Sequence, residues 1–351
     1  MIDVPHAKDV PLAPRTTLGV GGPARWFVAT DDEAVAIEAL HQARKLRLST
    51  LILGGGSNIV IHDEGFDGLV LHLENRALSF EEAHGVTYVR AGAGILWDDL
   101  VDACVERDLS GIEAMSGIPG QAGAACVQNI GAYGQEIGDT IVEVRVWDRY
   151  DQVFRAFTNT DCQFAYRHSI FKAQPGRYLI TEIVLALRAN HTPELKYRDL
   201  IQYFQDRDAP NVRSIRDAVR EIRTSKGMVY SAEDPDSHSV GSFFMNPIVA
   251  PEQVANVKRI AKLHGLPTPP TFPQHSGLFK LSAAWLIERA GIQRGQRLGR
   301  AAISSRHVLA ITNPGGATSE EVRALAELVA ERVQEFWSVS LRPEATILPP
   351  R

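Results

Sequence analysis

Cysteine is scarce in this chain. Cys104, Cys126 and Cys162 are the three among 351 residues, and they stand far apart. An odd, scattered set offers neither a disulfide framework nor paired metal-ligand spacing. Reduced structural thiols and no metal site are expected. Aromatic residues are also few, at 7%. No basic excess exists: 37 Lys and Arg stand against 42 Asp and Glu, a net charge of −5. Nothing can then hold a nucleic-acid backbone by charge alone, and no nucleic-acid partner is expected. No apolar run approaches the roughly 18 residues of a membrane span, so no membrane partner is expected either. The opening stretch, MIDVPHAKDVPLAPRT, lacks the basic-then-apolar pattern of a secretory signal. A cytoplasmic enzyme is the expectation these absences leave.

The rest of the composition is that of a globular chain, 44% hydrophobic and 23% charged. At roughly 150 residues per domain, the length suggests two domains. Residues 1–16 read as a polar, Pro-containing surface arm. Thr30 and Glu33 read as a capping box opening a helix with Val35, Ile37 and Leu40. STLILGGGSNIVI (49–61) reads as strand, turn, strand. Segments 68–73, 86–94, 142–148 and 178–188 read as strands from alternation and β-branched content. A helix carries Leu96, Leu100, Val101 and Cys104. A seam falls near 190–215. Beyond it, helices are predicted from Ser214, from Pro251, over 280–291, and from Thr318 with Val322, Leu325, Val329, Val333 and Phe336 buried. Residues 338–348 read as a closing strand. Two α+β domains fit this pattern better than regular βαβ alternation.

The glycines carry the functional signal. Gly19, Gly21 and Ala24 match a loose dinucleotide fingerprint, but no strand precedes them and Pro23 interrupts the match, so that reading is rejected. Gly54-Gly55-Gly56-Ser57-Asn58 follows an apolar strand. It could turn backbone N–H groups inward as an anion nest, or be a tight hairpin. No Lys-Ser/Thr pair follows, which excludes a nucleoside-triphosphate loop. SGIPGQAGAACVQNIGAYG (116–134) combines small residues with Gln128, Asn129 and Tyr133. It could lie against a flat ligand while its amides read polar edges, or be a packing turn. Two such loops in one strand-rich region favour a bulky phosphate-bearing cofactor such as FAD.

Six motifs stand in a telling order: TLGVGGPA (17–24), LGGGSN (53–58), the 116–134 segment, YRHSIFK (166–172), GSFFMNP (241–247) and RPE (342–344). In this order the chain resembles the UDP-N-acetylenolpyruvoylglucosamine reductases over about residues 15–348. KYRDL (196–200) is similar to the tyrosine loop of their type I branch. The resemblance implies an α+β chain. A vanillyl-alcohol-oxidase-type (PCMH-type) FAD-binding domain of two α+β subdomains would cover 1–213, divided at about 73. A C-terminal α+β substrate domain would cover 214–337, and a terminal strand, 338–351, would carry Glu344. It further implies noncovalent FAD, NADPH as hydride donor, and reduction of the enolpyruvyl ether of UDP-N-acetylglucosamine in peptidoglycan precursor synthesis, by a monomer.

The family's residues carry over by motif. Arg167 would steady the enolate-like intermediate, Ser242 would protonate its carbon, and Glu344 would be the second polar group beside it. Gly54, Gly55, Gly56, Ser57 and Asn58 would meet the FAD pyrophosphate. Gly117, Ile118, Pro119, Gly120, Gly123 and Ala124 would line the flavin side. Tyr197 and Lys226 match diphosphate contacts, Asn246 a uridine or phosphate contact, and His307 a further substrate position. His168 stands where relatives often carry Asp, and 227–240 looks longer than in some relatives. Two other readings are an oxidase of the same fold and a non-catalytic UDP-sugar-binding module. The first needs a base and an oxygen-accessible flavin rather than a carbon-protonating serine. The second needs the glycine loops but no proton donor.

Overall fold

The computed structural model describes residues 2–189, 195, 197–274 and 277–349. The chain forms two compact units. The first comprises Met1–Pro11, Pro23–Gly56 and Phe66–Val229; the second comprises Leu12–Gly22, Ser57–Gly65 and Tyr230–Arg351. This partition differs from the expected blocks. The first unit runs beyond residue 213 because the helix Val212–Ser225 buries Ile215, Ala218 and Val219 with Ala114, Leu200 and Phe204. The second unit takes two short pieces from the N-terminal half.

Among the described residues the first unit holds a two-stranded hairpin, Gly131–Ala132 with Gln135–Glu136, and two larger sheets. In the smaller of these two the strand order is Ala7–Pro11, Pro23–Thr30, Phe66–Leu73, Ser49–Ile52. Its first pair is antiparallel and the other two pairs are parallel. The expected N-terminal arm is therefore an edge strand. Its residues are mostly exposed, so no alternating apolar pattern betrays it. The larger sheet is antiparallel, in the order Val153–Thr158, Ile141–Asp148, Tyr178–Ala189, Val86–Gly92, Leu78–Ala83. Tyr178–Ala189 runs through its centre and is apolar nearly throughout, as burial on both faces requires. The helix Glu33–Lys45 buries Ala36, Ala39, Leu40 and Ala43, one stripe at helical spacing. Its cap is Asp32, whose carboxylate accepts from the N–H groups of Ala34 and Val35, rather than the expected Thr30.

Asp148 anchors one corner of this unit. It is fully buried and accepts from Arg177 Nη2 at 2.8 Å, Arg155 Nε at 3.2 Å and the Tyr150 N–H at 3.0 Å. The Arg177 guanidinium beside it holds its carboxyl down at about 2, against an ordinary 3.8. A depressed carboxyl stabilises the fold fully above its unfolded value and loses that contribution as pH falls through the folded one. Urea unfolding is therefore expected to show stability falling between pH 3.8 and about 2. Asp148→Asn should remove this part of the fall; an unchanged acid limb would refute the assignment.

The second unit packs three helices, Pro251–Leu263, Ala283–Arg289 and Ser319–Trp337, with short strands. Thr318 and Glu321 make the expected capping box, and the last helix buries Val322, Leu325, Val329 and Val333. Trp337, rather than Phe336, completes the buried stripe and donates its indole N–H to the Leu286 carbonyl at 2.9 Å. Two helix starts move: Asn211 caps the helix expected from Ser214, and Phe279–Leu281 is a strand preceding Ala283. The expected closing strand shrinks to Thr346–Ile347, which pairs in parallel with Ile59–Val60. No helix among the described residues is long and apolar enough to cross a membrane.

Candidate active site

The strand Ser49–Ile52 feeds the chain into the glycine triplet, and Ile59–Val60 follows it. These flanking strands pair with other strands, not with each other, so the segment is no hairpin. Among the described residues, the N–H groups of Gly54, Gly55 and Gly56 donate to no acceptor. Gly56 sits at φ +63°. The triplet presses on the second glycine segment. A Cβ on Gly54 would lie 2.8 Å from Ala124 Cβ, and one on Gly55 would lie 2.6 Å from Gly120 Cα. Gly123 packs likewise on Ala93, at 2.7 Å. Glycine is thus required on both sides, and a run of unsatisfied donors remains that suits an anionic group such as a diphosphate. The residues fit the pyrophosphate of FAD by this test.

The second segment is a helix, Ala122–Gln128, with an irregular arm before it and the short strand Gly131–Ala132 after it. Gly117 and Gly120 adopt φ of +70° and +128°. The Gly117 N–H donates to Asp98 Oδ1 at 2.6 Å, and its carbonyl accepts from Arg223 Nη2 at 3.3 Å. Gly120 O accepts from the Trp97 N–H at 2.9 Å. Ile118 and Pro119 lie between these tethers, half-buried. Asn129 closes the helix in the left-handed region, at φ 45°. Its Nδ2 donates to the Ala165 carbonyl at 2.9 Å and to Glu136 Oε2 at 2.8 Å.

This closure positions Arg167. Ala165 and His168 form a tight bridge, with Tyr166 and Arg167 at its turn. Arg167 adopts φ 54°, uncommon for a residue with a Cβ. Its Nη2 donates to the Gly131 carbonyl at 3.0 Å and its Nη1 to the Asn129 carbonyl at 3.4 Å. Lys172 Nζ grips the Arg167 carbonyl at 3.1 Å and Gln128 Oε1 at 2.8 Å. His168, the expected departure, is exposed and meets Ala165 through its backbone.

Two predicted substrate residues meet in the same unit. Tyr197 caps the helix Arg198–Phe204, and Lys226 ends Val212–Ser225. Their link is Tyr133, 5.3 Å from the Tyr197 ring and 6.0 Å from Lys226 Nζ. Asp199 accepts from Lys226 Nζ at 2.6 Å. Burial pushes the Tyr133 hydroxyl up to about 12, so it stays protonated and can donate. Lys196 of KYRDL lies outside the described residues.

In the second unit, the segment 241–247 runs beside the chain end. Phe243 N–H donates to Leu309 O at 2.8 Å, and Met245 N–H to Arg342 O at 3.0 Å. Phe244 bridges Pro343, and the Glu344 N–H donates to Phe243 O at 2.8 Å. Ser242 and Glu344 are thus locked by backbone into one neighbourhood. Glu344 occupies a bend before the terminal strand, not the strand itself. The half-buried Ser242 hydroxyl makes no hydrogen bond among the described residues. Phe243 and Phe244, both buried, fix the backbone on its far side. Asn58 Nδ2 donates to the Glu344 carbonyl at 3.3 Å, which ties the Asn58 side of the first glycine motif to the same place. Ser57, the neighbouring member of that motif, belongs to this unit too.

Asn246 and His307 stand in supporting positions. Asn246 Oδ1 accepts from the Ala283 N–H at 2.9 Å. His307 belongs to a turn anchored on Asp236, which accepts from Ser304 Oγ at 2.8 Å and Arg306 Nε at 2.9 Å. That anchoring also orders part of the 227–240 stretch, whose shape the sequence left open. The three cysteines are buried free thiols. Burial pushes Cys104 and Cys162 up to about 12 and Cys126 well above its ordinary value, so none is a nucleophile at neutral pH.

Sequence reasoning missed Asn129, Lys172 and Arg223 as positioning groups. Asn129 had a signal: asparagine tolerates the left-handed region and often ends helices. Arg223 had none. It is a charged side chain buried on the helix Val212–Ser225, and burial lowers its guanidinium from the ordinary value.

A family model described as UDP-N-acetylenolpyruvoylglucosamine reductase, C-terminal domain, matches residues 234–348, and one described as FAD binding domain matches 24–156. A UDP-N-acetylenolpyruvoylglucosamine reductase of Thermobifida fusca is 43% identical over 350 residues, covering 97% of this chain and 98% of the relative. One of Streptomyces coelicolor is 41% identical over 344 residues, covering 96% and 89%. The crystal structure of UDP-N-acetylenolpyruvylglucosamine reductase from Thermus caldophilus aligns over 99% of this chain and all of its own, with a TM-score of 0.66 and 26% identity.

Proposed function

Because the chain belongs to the UDP-N-acetylenolpyruvoylglucosamine reductase family, we infer that it is the FAD-dependent enzyme reducing the enolpyruvyl ether of UDP-N-acetylglucosamine to UDP-N-acetylmuramate. One observation carries the reading: the likeness runs through both the FAD-binding segment and the C-terminal segment, at nearly full length. The reaction supplies a precursor of peptidoglycan, hence of cell shape and division. The reading places it in the cytoplasm as a monomer with NADPH as hydride donor.

FAD, when bound, supplies the two-electron link between NADPH and the substrate double bond. The protein's own groups do the rest. The N–H groups of Gly54, Gly55 and Gly56 hold phosphate oxygens without spending a lysine, together with Ser57 and Asn58. Ile118, Pro119, Gly120, Gly123 and Ala124 give the cofactor a neutral wall, with Gly117 held at its edge by Asp98 and Arg223. Arg167 is fixed by two backbone carbonyls, and its guanidinium stays charged throughout the reaction. It holds the substrate carboxylate as negative charge builds there. Ser242 delivers the proton to the neighbouring carbon, with Glu344 as the second polar group. Tyr197 and Lys226 hold the diphosphate, Asn246 contacts the uridine or a phosphate, and His307 meets a further part of the substrate.

The test is an absorption spectrum of the purified protein followed through turnover. Yellow protein, bleached by NADPH without oxygen and recoloured by the enolpyruvyl sugar, is expected. A colourless protein that takes up no FAD would refute the reading. Bleaching without recolouring would instead point to an oxidase.

A further inference from the structure

A cavity of about 460 Å³ opens in the first unit where the helix Glu33–Lys45 ends. Arg44, Arg47, Thr50, Trp147, Arg149 and Tyr150 are in its wall. It shares no residue with the two glycine segments, and its volume is that of a small-molecule site.

Its charge is unbalanced. None of the three arginines pairs with a carboxylate among the described residues. Arg149 donates to Thr50 Oγ1 at 2.7 Å and to the Gly176 carbonyl at 2.5 Å, and Arg44 donates to the Arg149 carbonyl at 3.3 Å. These neutral acceptors orient the guanidinium groups without compensating them. The neighbouring acids are engaged elsewhere: Asp148 and Asp151 with Arg155 and Arg177, and Glu38 near His41 at 3.7 Å. Burial, with Arg44 adding to it, lowers the Arg149 guanidinium from its ordinary value. A bound anion would relieve this cluster of like charges.

The backbone adds a second observation. Arg47 directly follows the last turn of the helix at φ 54°, where glycine is relaxed and a Cβ is strained. The turn is nonetheless well formed, with Arg47 N–H on Arg44 O at 3.1 Å and Leu48 N–H on Ala43 O at 2.9 Å. An arginine held where glycine fits better points to a use for its side chain. Aromatic surface lies beside the charges. Tyr150 is 66% exposed, and the ring nitrogens His41 Nε2 and Trp147 Nε1 are buried in the wall without a partner. Cations next to flat rings suit a ligand that is part phosphoryl and part base.

We propose that this cavity binds a nucleoside phosphate, with its phosphoryl group among Arg44, Arg47 and Arg149 and its base against Trp147 and Tyr150. Titration calorimetry on the FAD-loaded protein at constant ionic strength, with AMP and inorganic phosphate as probes, tests it. Saturable binding is expected, tighter for AMP than for phosphate. Equal affinity for the two, or no saturable binding, overturns the nucleoside assignment. Arg47→Gly keeps and relaxes the turn while removing one guanidinium. It should fold at least as stably, hold its flavin, and bind AMP about tenfold more weakly. An unchanged affinity would mean that AMP binds elsewhere, and lost flavin would give the cavity to the cofactor; either overturns the proposal.

Discussion

Ser242→Ala is expected to leave reduction of the bound flavin by NADPH nearly intact and to slow its reoxidation by the enolpyruvyl sugar by about 10²–10⁴-fold, the usual contribution of a positioned proton donor. The change removes one oxygen that no described residue holds, so the fold loses no internal hydrogen bond. The backbone around it is pinned independently, through Phe243 to Leu309 and through Glu344 to Phe243. A serine hydroxyl is a weak acid. It can protonate carbon only when negative charge has already built on that carbon, and that occurs in the second half-reaction alone. Anaerobic rapid mixing separates the halves. An equal loss in both would give Ser242 a role in holding cofactor or fold rather than in proton transfer.

Gly55→Val is expected to yield largely apoprotein, with flavin content reduced at least about tenfold. The contact is backbone on backbone: a Cβ at this position would meet Gly120 Cα at 2.6 Å and the Gly120 carbonyl carbon at 3.1 Å. Neither can swing aside as a side-chain tip would. The two glycine segments must separate, and forced overpacking typically costs about 1–3 kcal/mol before any ligand is lost. Separation also displaces the unpaired N–H groups that suit phosphate. The ratio of flavin to protein absorbance in the purified variant measures the effect. A fully yellow Gly55→Val protein would remove this segment from the cofactor site.

Much of this was legible in the chain because it rests on local chemistry. Glycine runs mark close approach of backbone, and the Thr318–Glu321 pair marks a helix start whatever surrounds it. The long central strand Tyr178–Ala189 declared itself over 178–188 by its β-branched content and alternation. Features set by distant partners were not legible. The strand Ala7–Pro11 exists because Pro23–Thr30 offers it an edge, and its own residues carry no alternation. The bend at Glu344 is held by Phe243 and Asn58, far away in sequence, so a stretch of strand-forming residues ends irregular. Arg223 is buried although charged, because the carbonyls of Gly117 and Met228 are there to receive it. At the candidate site, motif order named the candidate residues. Their supports, such as Asn129 and Lys172 around Arg167, needed the fold.

The division of the chain between its two units bears on how the protein is born. Asn313 reaches back to the carbonyls of Leu18 and Gly19, Thr17 bonds the carbonyl of Ser239, and Ser319 seals on Asp63. The C-terminal core therefore incorporates pieces that leave the ribosome early and must wait for the last third of the polypeptide. Such long-range closure slows folding and leaves those early pieces uncovered during synthesis. A gene fragment beginning at Tyr230 would encode a core with Leu18, Val20 and Val60 missing from it.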